Sequence, residues 1–154
     1  MRDTVVYLQN EATNDELYQH LLQCDVNFVP QLSGRVDLNE YGAKIFNNAI
    51  RFEAWSGDIL IGLIAVYCND LQHRRAYVTT VSVLTDSMGK GVASRLMSEC
   101  IAYVTALDFQ CLELEVNQHN RDAISLYEKK GFVTDQVDGS SITMRLEIKG
   151  VISE

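Results

Sequence analysis

The chain has 154 residues, of which 47% are hydrophobic, and its formal net charge is −8. This length predicts one domain, residues 1–154, with a sizeable core, and the hydrophobic content excludes an intrinsically disordered chain. The acidic balance argues against nucleic acid and acidic membrane surfaces as partners.

The cysteines and the apolar segments of the sequence indicate the cellular compartment in which the protein is expected. The four cysteines, Cys24, Cys68, Cys100 and Cys111, stand alone in apolar runs and form no C-x-x-C pair. Isolated cysteines of this kind are typical of buried, reduced thiols, and the histidines have no metal-ligand spacing. No apolar segment resembles a signal peptide or could span a bilayer. We therefore expect a cytoplasmic protein with no metal.

The first half of the chain predicts strands and two helices. Asn14 and Asp37 are expected to cap the helices, because their side chains accept hydrogen bonds from free backbone N–H groups. The tripeptide at 56–58, Ser-Gly-Asp, indicates a hairpin. The predicted elements are a strand at 4–8, a helix from 14 to about 24, a loop at 25–36, a helix from 37, and strands at 50–55, 59–67 and 76–84.

In the second half, helices and strands alternate. Asn120 is expected to cap a helix and Gly131 to end it. The predicted elements are a helix at about 91–106, a strand at 111–116, a helix at 120–130, and strands at 132–137 and 142–148. Antiparallel hairpins followed by a strand–helix–strand–helix–strand unit predict a mixed α/β sheet in a single domain.

The turn that joins the strand at 76–84 to the following helix contains Gly89, Lys90 and Gly91. A strand that turns through glycines into a helix leaves free N–H groups at the positive end of the helix dipole. Such a turn suits a phosphate or pyrophosphate, to which Lys90 adds a charge. The alternative is an ordinary turn without a ligand. Ser94 breaks the dinucleotide pattern G-x-G-x-x-G, and no nucleotide-triphosphate loop is present.

Two motifs stand in order in the second half. The pattern Gln/Arg-x-x-Gly-x-Gly/Ala falls on Met88, Gly91 and Ala93, and the pattern N-x-x-A-x-x-x-Y-x-x-x-G-F is matched without a gap over residues 120–132. With these motifs and this element order, the chain resembles the GNAT superfamily of N-acetyltransferases. The resemblance implies a GNAT-like α/β fold, with a mixed, mostly antiparallel sheet of about seven strands flanked by four helices. It also implies an acyltransferase whose co-substrate is acetyl-CoA.

The resemblance implies that backbone amides of residues 89–94 bind the pyrophosphate of acetyl-CoA. It assigns the pantetheine arm to the main chain of the preceding strand, where the Val83 amide would donate to the thioester oxygen. Met88 stands where the family has Gln or Arg, which removes one polar contact. Because amides do not depend on side-chain identity, we expect binding nonetheless. The implied cofactor-binding residues are Val81, Ser82, Val83, Met88, Gly89, Lys90, Gly91, Val92, Ala93, Ser94 and Asn120.

Two residues are implied as catalytic groups. Tyr127 matches the family's tyrosine acid, and a phenol near its reference pKa of about 10 stays protonated at neutral pH and can donate to the leaving thiolate. Glu115 lies twelve residues earlier, where some family members have a glutamate base that acts through water. The alternatives are a packed aromatic ring, a solvated strand carboxylate, and proton release through ordered water alone.

The resemblance places the acceptor where the loop at 27–37 meets the hairpin strands. This loop looks similar to that of a GNAT subgroup associated with bacterial surface-polysaccharide functions, which favours a small primary amine such as an amino sugar. The candidate substrate-binding residues are Phe28, Ser33, Arg35 and Tyr41. In the alternative interpretation, the apolar loop residues pack on the core and Ser33 caps a helix.

Three functions therefore remain open. The first is direct acetyl transfer from acetyl-CoA to a small-molecule amine, without an acyl-enzyme. The second is transfer to a protein N-terminus or lysine, and the acidic net charge suits a cationic acceptor of either kind. The third is a regulatory module that binds acetyl-CoA without catalysis, for which Met88 leaves room. The sequence also leaves a homodimer open.

Overall fold

The computed structural model describes residues 4–148. Within that range the strands and helices follow the predicted order, and the predicted loop at 25–36 contains two short 3₁₀ turns. The elements are β1 (Val5–Gln9), α1 (Asn14–Cys24), α2 (Leu38–Asn48), β2 (Ile50–Ser56), β3 (Ile59–Asp70), β4 (Arg75–Val83), α3 (Val92–Ala106), β5 (Cys111–Asn117), α4 (Arg121–Lys129), β6 (Val133–Asp138) and β7 (Ser141–Glu147).

The strands form one seven-stranded sheet in the order β1-β2-β3-β4-β5-β7-β6. Neighbouring strands are antiparallel except β4 and β5, which are parallel. A parallel pair needs a long crossover connection, and α3 supplies it between these two strands. The predicted mixed, mostly antiparallel sheet with four helices is confirmed.

Helices pack on both faces of the sheet and create two apolar clusters. On one face, α1 and α2 contribute the fully buried side chains of Leu17, Leu21 and Ile45. On the other face, α3 contributes Leu96 and Met97, which are also fully buried. Burial of one such side chain stabilises the fold by about 1.5–3 kcal/mol. This packing holds the start of α3, and with it the glycine turn, firmly against the sheet.

Strands β4 and β5 separate after a short parallel ladder. Their pairing stops at Val78 and Leu114, although β4 continues to Val83. Next to that point, the register between β3 and β4 shifts and leaves Thr79 without a cross-strand partner. A β-bulge of this kind bends its strand and increases the local twist. The second half of β4 therefore turns away from β5 and leaves a gap inside the sheet.

The cap of α1 differs from the prediction, because Thr13 rather than Asn14 is the N-cap. The Thr13 hydroxyl accepts from the Glu16 N–H at 3.2 Å, and the Glu16 carboxylate accepts from the Thr13 N–H at 2.9 Å. This capping box satisfies two free backbone donors at once, and it requires Glu or Gln three residues after the cap. The predicted caps Asp37 and Asn120 are confirmed.

Candidate active site

The gap between β4 and β5 opens into a cavity of about 790 Å³, a volume typical of small-molecule sites. Its walls are the second half of β4, the ends of β5 and α4, the turn before α3, and the loop between α1 and α2. Three predicted site residues, Ser33, Tyr41 and Lys90, do not line it. The predicted residues that do are Phe28, Arg35, Val81, Ser82, Val83, Met88, Gly89, Gly91, Val92, Ala93, Ser94, Glu115, Asn120 and Tyr127.

The glycine turn presents free main chain to the cavity. Gly89 and Gly91 have positive φ angles of 76° and 81°, and open space surrounds the Cβ position of both. Gly91 is the N-cap of α3 and makes no side-chain hydrogen bond to the first N–H groups of this 15-residue helix. The turn therefore fits an anionic diphosphate, which would accept from these N–H groups at the positive end of the helix. Lys90 is exposed and is not part of the cavity wall.

The second half of β4 offers a free strand edge. Beyond Val78 the side that faces β5 has no strand partner in the part of the chain that the structure describes, because the two strands have separated. Val81 and Val83 pack toward α3, whereas Ser82 contacts α1 on the opposite face. A free edge of this kind can pair with an extended, amide-containing ligand through main-chain groups alone. The pantetheine arm of coenzyme A has that chemistry.

Tyr127 brings a phenol to the cavity from α4. Its side chain is 5% exposed, and its ring centroid lies 5.8 Å from that of Phe132. Burial raises the pKa of Tyr127 well above its ordinary value. The phenol is therefore protonated at neutral pH and available as a hydrogen-bond donor.

Tyr77 lines the cavity together with side chains of opposite charge. Glu115 is exposed on the cavity wall, and its Oε1 atom lies 3.4 Å from the donating hydroxyl of Ser141. Burial and then the negative charge of Glu115 raise the pKa of Tyr77, while the guanidinium of Arg35 opposes this effect. An acidic and a basic side chain thus both act on Tyr77, and both line the cavity.

Ser33 and Tyr41 brace the fold around the cavity. The Ser33 N–H and hydroxyl donate to the two carboxylate oxygens of Asp25 at 2.8 and 2.6 Å, and these bonds lower the pKa of Asp25. The Tyr41 hydroxyl donates to the Thr79 carbonyl at 2.8 Å, and burial raises the pKa of Tyr41 to about 12. Both hydroxyls therefore have hydrogen-bond partners within the protein, and their contact with a substrate stays a prediction.

Tyr77 and Asn27 are among the cavity residues that the sequence did not single out as site residues. Tyr77 lies between the buried residues Ala76 and Val78 in the sequence. Because successive side chains of a strand point to opposite faces, this pattern could have predicted that Tyr77 faces the other side of the sheet. Asn27 donates to the Thr85 hydroxyl at 3.0 Å and so joins the loop after α1 to the turn before α3. Asn27 and Thr85 are 58 positions apart in the sequence, so no local pattern could indicate their contact.

Residues 4–148 lack two features that would indicate a membrane span or a metal site. No helix there has both the length and the apolar character needed to cross a membrane. No group of three or more His, Cys, Asp or Glu side chains in that range is arranged to hold a metal ion.

Known proteins share both sequence features and this fold. The model of the acetyltransferase (GNAT) family matches residues 14–132. The N-terminal acetyltransferase complex ARD1 subunit homolog of Dictyostelium discoideum is 28% identical over 81 residues, which cover 51% of this chain and 40% of that protein. The match therefore spans less than half the length of this curated relative.

Two solved structures illustrate the similarity in fold. The PaiA N-acetyltransferase of Thermoplasma acidophilum, in complex with coenzyme A, has a TM-score of 0.74 at 15% identity, covering 94% of this chain and 99% of that chain. The ribosomal-protein-S18-alanine N-acetyltransferase of Escherichia coli has a TM-score of 0.73 at 18% identity, covering 99% of this chain and 97% of that chain. At such identities, these structures show a shared fold alone.

Proposed function

This chain belongs to the acetyltransferase (GNAT) family, and on that premise we propose that it transfers the acetyl group of acetyl-CoA directly to the primary amine of a small molecule. The predicted family is confirmed. Membership of this family supports the proposed N-acetyltransferase activity with acetyl-CoA as co-substrate. One observation carries the proposal: the open glycine turn, the free edge of β4 and the buried phenol of Tyr127 meet in a single cavity.

In this proposal the main chain holds the co-substrate. The N–H groups of residues 89–94 donate to the pyrophosphate, and the free edge at Val81 and Val83 pairs with the pantetheine amides. The Val83 N–H is the proposed donor to the thioester oxygen, which becomes more negative as the amine attacks. Because none of these contacts needs a particular side chain, Met88 is compatible with binding.

Two side chains are proposed to move protons. During transfer, a bond forms between the amine nitrogen and the thioester carbon while the carbon–sulfur bond breaks. Tyr127 donates its phenolic hydrogen to the departing sulfur, and Glu115 accepts the amine proton through a water molecule. Glu115 suits that role because its carboxylate is exposed on the cavity wall and, within residues 4–148, makes one long hydrogen bond, at 3.4 Å. A positioned acid or base contributes about 10²–10⁴-fold to the rate.

The acceptor is proposed to bind beside Tyr77, between Arg35 and Glu115. A small polar amine such as an amino sugar fits this mixture of an aromatic ring with both charges. Phe28, half-buried on the wall, adds an apolar contact from the loop. A protein N-terminus is the second candidate acceptor, because two of the similar proteins are named for N-terminal or ribosomal-protein acetylation.

The first experiment is acetyl-CoA binding by calorimetry, followed by thiol release with amino sugars, polyamines, amino acids and peptides. We expect binding, and release with one class of small amine. The variant Gly91→Val should lose binding, because a side chain there is strained at positive φ and occupies the anion turn. Gly139→Val is the matched control, since Gly139 also has a positive φ (61°) but lies outside the cavity wall.

Each alternative function predicts a different result in the same experiment. Release with peptides alone would support the second candidate and contradict a small-molecule acceptor. Binding without release on any amine would contradict catalysis and support a regulatory module.

A further inference from the structure

A buried polar cluster joins α1 to β4 on the wall of the cavity. The Nδ1 atom of His20 lies 2.8 Å from the carbonyl oxygen of Leu60, and its Nε2 atom lies 2.8 Å from the hydroxyl oxygen of Ser82. The thiol of Cys24 lies 3.6 Å from the same Nε2 atom. His20 is buried, and both Ser82 and Cys24 line the cavity. The cluster is thus part of the cavity wall rather than of the distant core.

The hydrogen-bond partners of His20 determine the orientation of the Ser82 hydroxyl. A carbonyl oxygen only accepts, so Nδ1 carries the hydrogen that is donated to Leu60. Burial lowers the pKa of His20 to about 4, so the ring is neutral at neutral pH and its Nε2 atom carries no hydrogen. Two donors lie beside this bare nitrogen, and the Ser82 hydroxyl at 2.8 Å is much closer than the Cys24 thiol at 3.6 Å, so Ser82 is the group that donates to His20. Its oxygen then has only lone pairs left, and it can only accept hydrogen bonds from a ligand.

A second hydroxyl lies on the same face of β4. Thr80 and Ser82 are two residues apart in a regular stretch of the strand, so both project away from the Val81 and Val83 side chains. Thr80 lines the cavity and is only 4% exposed, and its Oγ1 atom has no hydrogen-bond partner among residues 4–148. Buried hydroxyls normally have a partner. The oxygen atom itself is buried, so a ligand N–H group would supply the missing partner once rotation about χ1 turns the hydroxyl towards the cavity.

An attacking primary amine needs this kind of environment. Its nitrogen carries two N–H donors and one lone pair, and the lone pair must remain free for the thioester carbon. A hydrogen-bond donor beside the nitrogen would compete for that lone pair, whereas accepting oxygens bind the N–H groups and leave it available. Cys24 adds no competing charge, because burial raises the pKa of its thiol to about 11.

We propose that Ser82 and Thr80 form the subsite that receives the amino group of the acceptor, with His20 as the positioning residue that keeps Ser82 in its accepting orientation. This inference rests on the proposed function. It assigns the two hydroxyl side chains to the acceptor, whereas the co-substrate uses the main chain of the same strand.

The test compares Ser82→Ala and Thr80→Val with the wild-type protein, using the amine that the release screen identifies. Loss of one net hydrogen bond should lower kcat/KM for the amine about tenfold in each variant. The Kd for acetyl-CoA should stay unchanged, because main-chain contacts survive both substitutions. Ser98→Ala is the matched control: Ser98 accepts from Lys130 at 2.7 Å on α3, outside the cavity wall, and its loss should change neither constant.

Thermal unfolding adds a readout that a merely structural role would not give. Thr80→Val removes a buried hydroxyl without a protein partner, so its Tm should rise by about 2–4 °C while kcat/KM for the amine falls. His20→Phe should lower kcat/KM in the wild-type background but cause no further loss in Ser82→Ala, because it acts through that hydroxyl. If His20→Phe does not fold, the other two variants still decide the question.

The outcomes separate this inference from the proposed function. Wild-type protein that transfers acetyl groups to no amine would overturn both. Wild-type transfer that neither Ser82→Ala nor Thr80→Val weakens would overturn the subsite and leave the function intact. Equal losses in amine kcat/KM and in acetyl-CoA affinity would also overturn it, because they would show damage to β4 as a whole.

Discussion

Tyr127 is a phenol in an apolar environment that still reaches the cavity, and this combination predicts how its removal affects catalysis. Tyr127→Phe keeps the ring packing against Phe132 but removes the donor to the leaving sulfur. We expect kcat to fall about 100-fold with little change in acetyl-CoA affinity. Because burial raises the pKa of Tyr127, wild-type kcat should show no loss from its ionisation up to about pH 10.

A matched core substitution controls for the loss of a hydroxyl. Tyr103 packs edge-on against Phe52 at 5.6 Å and lies outside the cavity wall, so Tyr103→Phe should leave kcat unchanged. If the kcat of the Tyr127→Phe variant equalled that of the wild-type protein, this phenol would be excluded as the acid.

His20 makes the stability of the fold depend on pH. Burial lowers its pKa from 6.5 to about 4, and this effect outweighs the backbone hydrogen bonds that act in the opposite direction. The folded state keeps the ring neutral, whereas the unfolded chain binds a proton below pH 6.5. The free energy of unfolding should therefore fall by about 3 kcal/mol as the pH drops from 6.5 to 4, and this group should have no effect above pH 6.5.

Urea unfolding at a series of pH values measures this slope. A His20→Phe variant should lose most of the decrease, whereas His73→Phe should keep it, because His73 is exposed. The same slope in the His20→Phe variant would assign the effect to another group.

At the scale of elements, the contact between α3 and β3 sets the position of the glycine turn. A Cβ atom at Gly62 would lie 2.6 Å from Val92 Cγ1 and 3.2 Å from Leu96 Cδ1, so α3 can approach the sheet only because this residue has no side chain. Gly62→Ala should push the start of α3 outward and reduce the free energy of unfolding by about 1–3 kcal/mol. It should also weaken acetyl-CoA binding, because the turn at 89–94 moves with the helix.

Chemical denaturation and calorimetry test the two effects together. Gly34→Ala is the control, since nothing lies within 4 Å of its added Cβ atom and its φ is not positive. Undiminished stability in Gly62→Ala would show that α3 can shift without cost.

At the scale of the whole molecule, one buried carboxylate connects three parts of the chain. Glu53 is 0% exposed and accepts from the Ala12 N–H at 3.1 Å, the Trp55 indole at 3.0 Å and the Arg51 guanidinium at 3.2 Å. Arg51 in turn donates to the carbonyl oxygens of Ala12 and Phe46. This network joins β2 to the segment before α1 and to the end of α2.

Glu53→Gln should disrupt that network, because its amide group places a donor where other donors already point. We expect a loss of about 3–5 kcal/mol in the free energy of unfolding, measured by urea denaturation. The control is Glu99→Gln, which breaks the exposed ion pair with Arg95 and should cost less than about 1 kcal/mol. Similar losses in the two variants would contradict a special role for the buried carboxylate.

Local patterns in the sequence were sufficient to determine the elements and their order. Apolar spacing, turn glycines and caps act within a few residues, so they predict each helix and strand without reference to distant parts. Even the error at the start of α1 was a shift of one residue, from Thr13 to Asn14. The two motifs around Gly91 and Tyr127 were likewise readable, and they led to the correct family. The cytoplasmic location and the homodimer stay predictions.

Only the tertiary structure decided which side chains meet at the cavity. The bulge at Thr79 separates β4 from β5, and no local pattern indicates it because it depends on the register with β3. His20 and Ser82 are 62 residues apart, yet folding places them 2.8 Å from each other. The same packing occupies Tyr41, whose hydroxyl binds Thr79 instead of facing the cavity. Sequence determines local conformation, whereas hydrogen-bond partners across the sheet depend on strand register and helix packing.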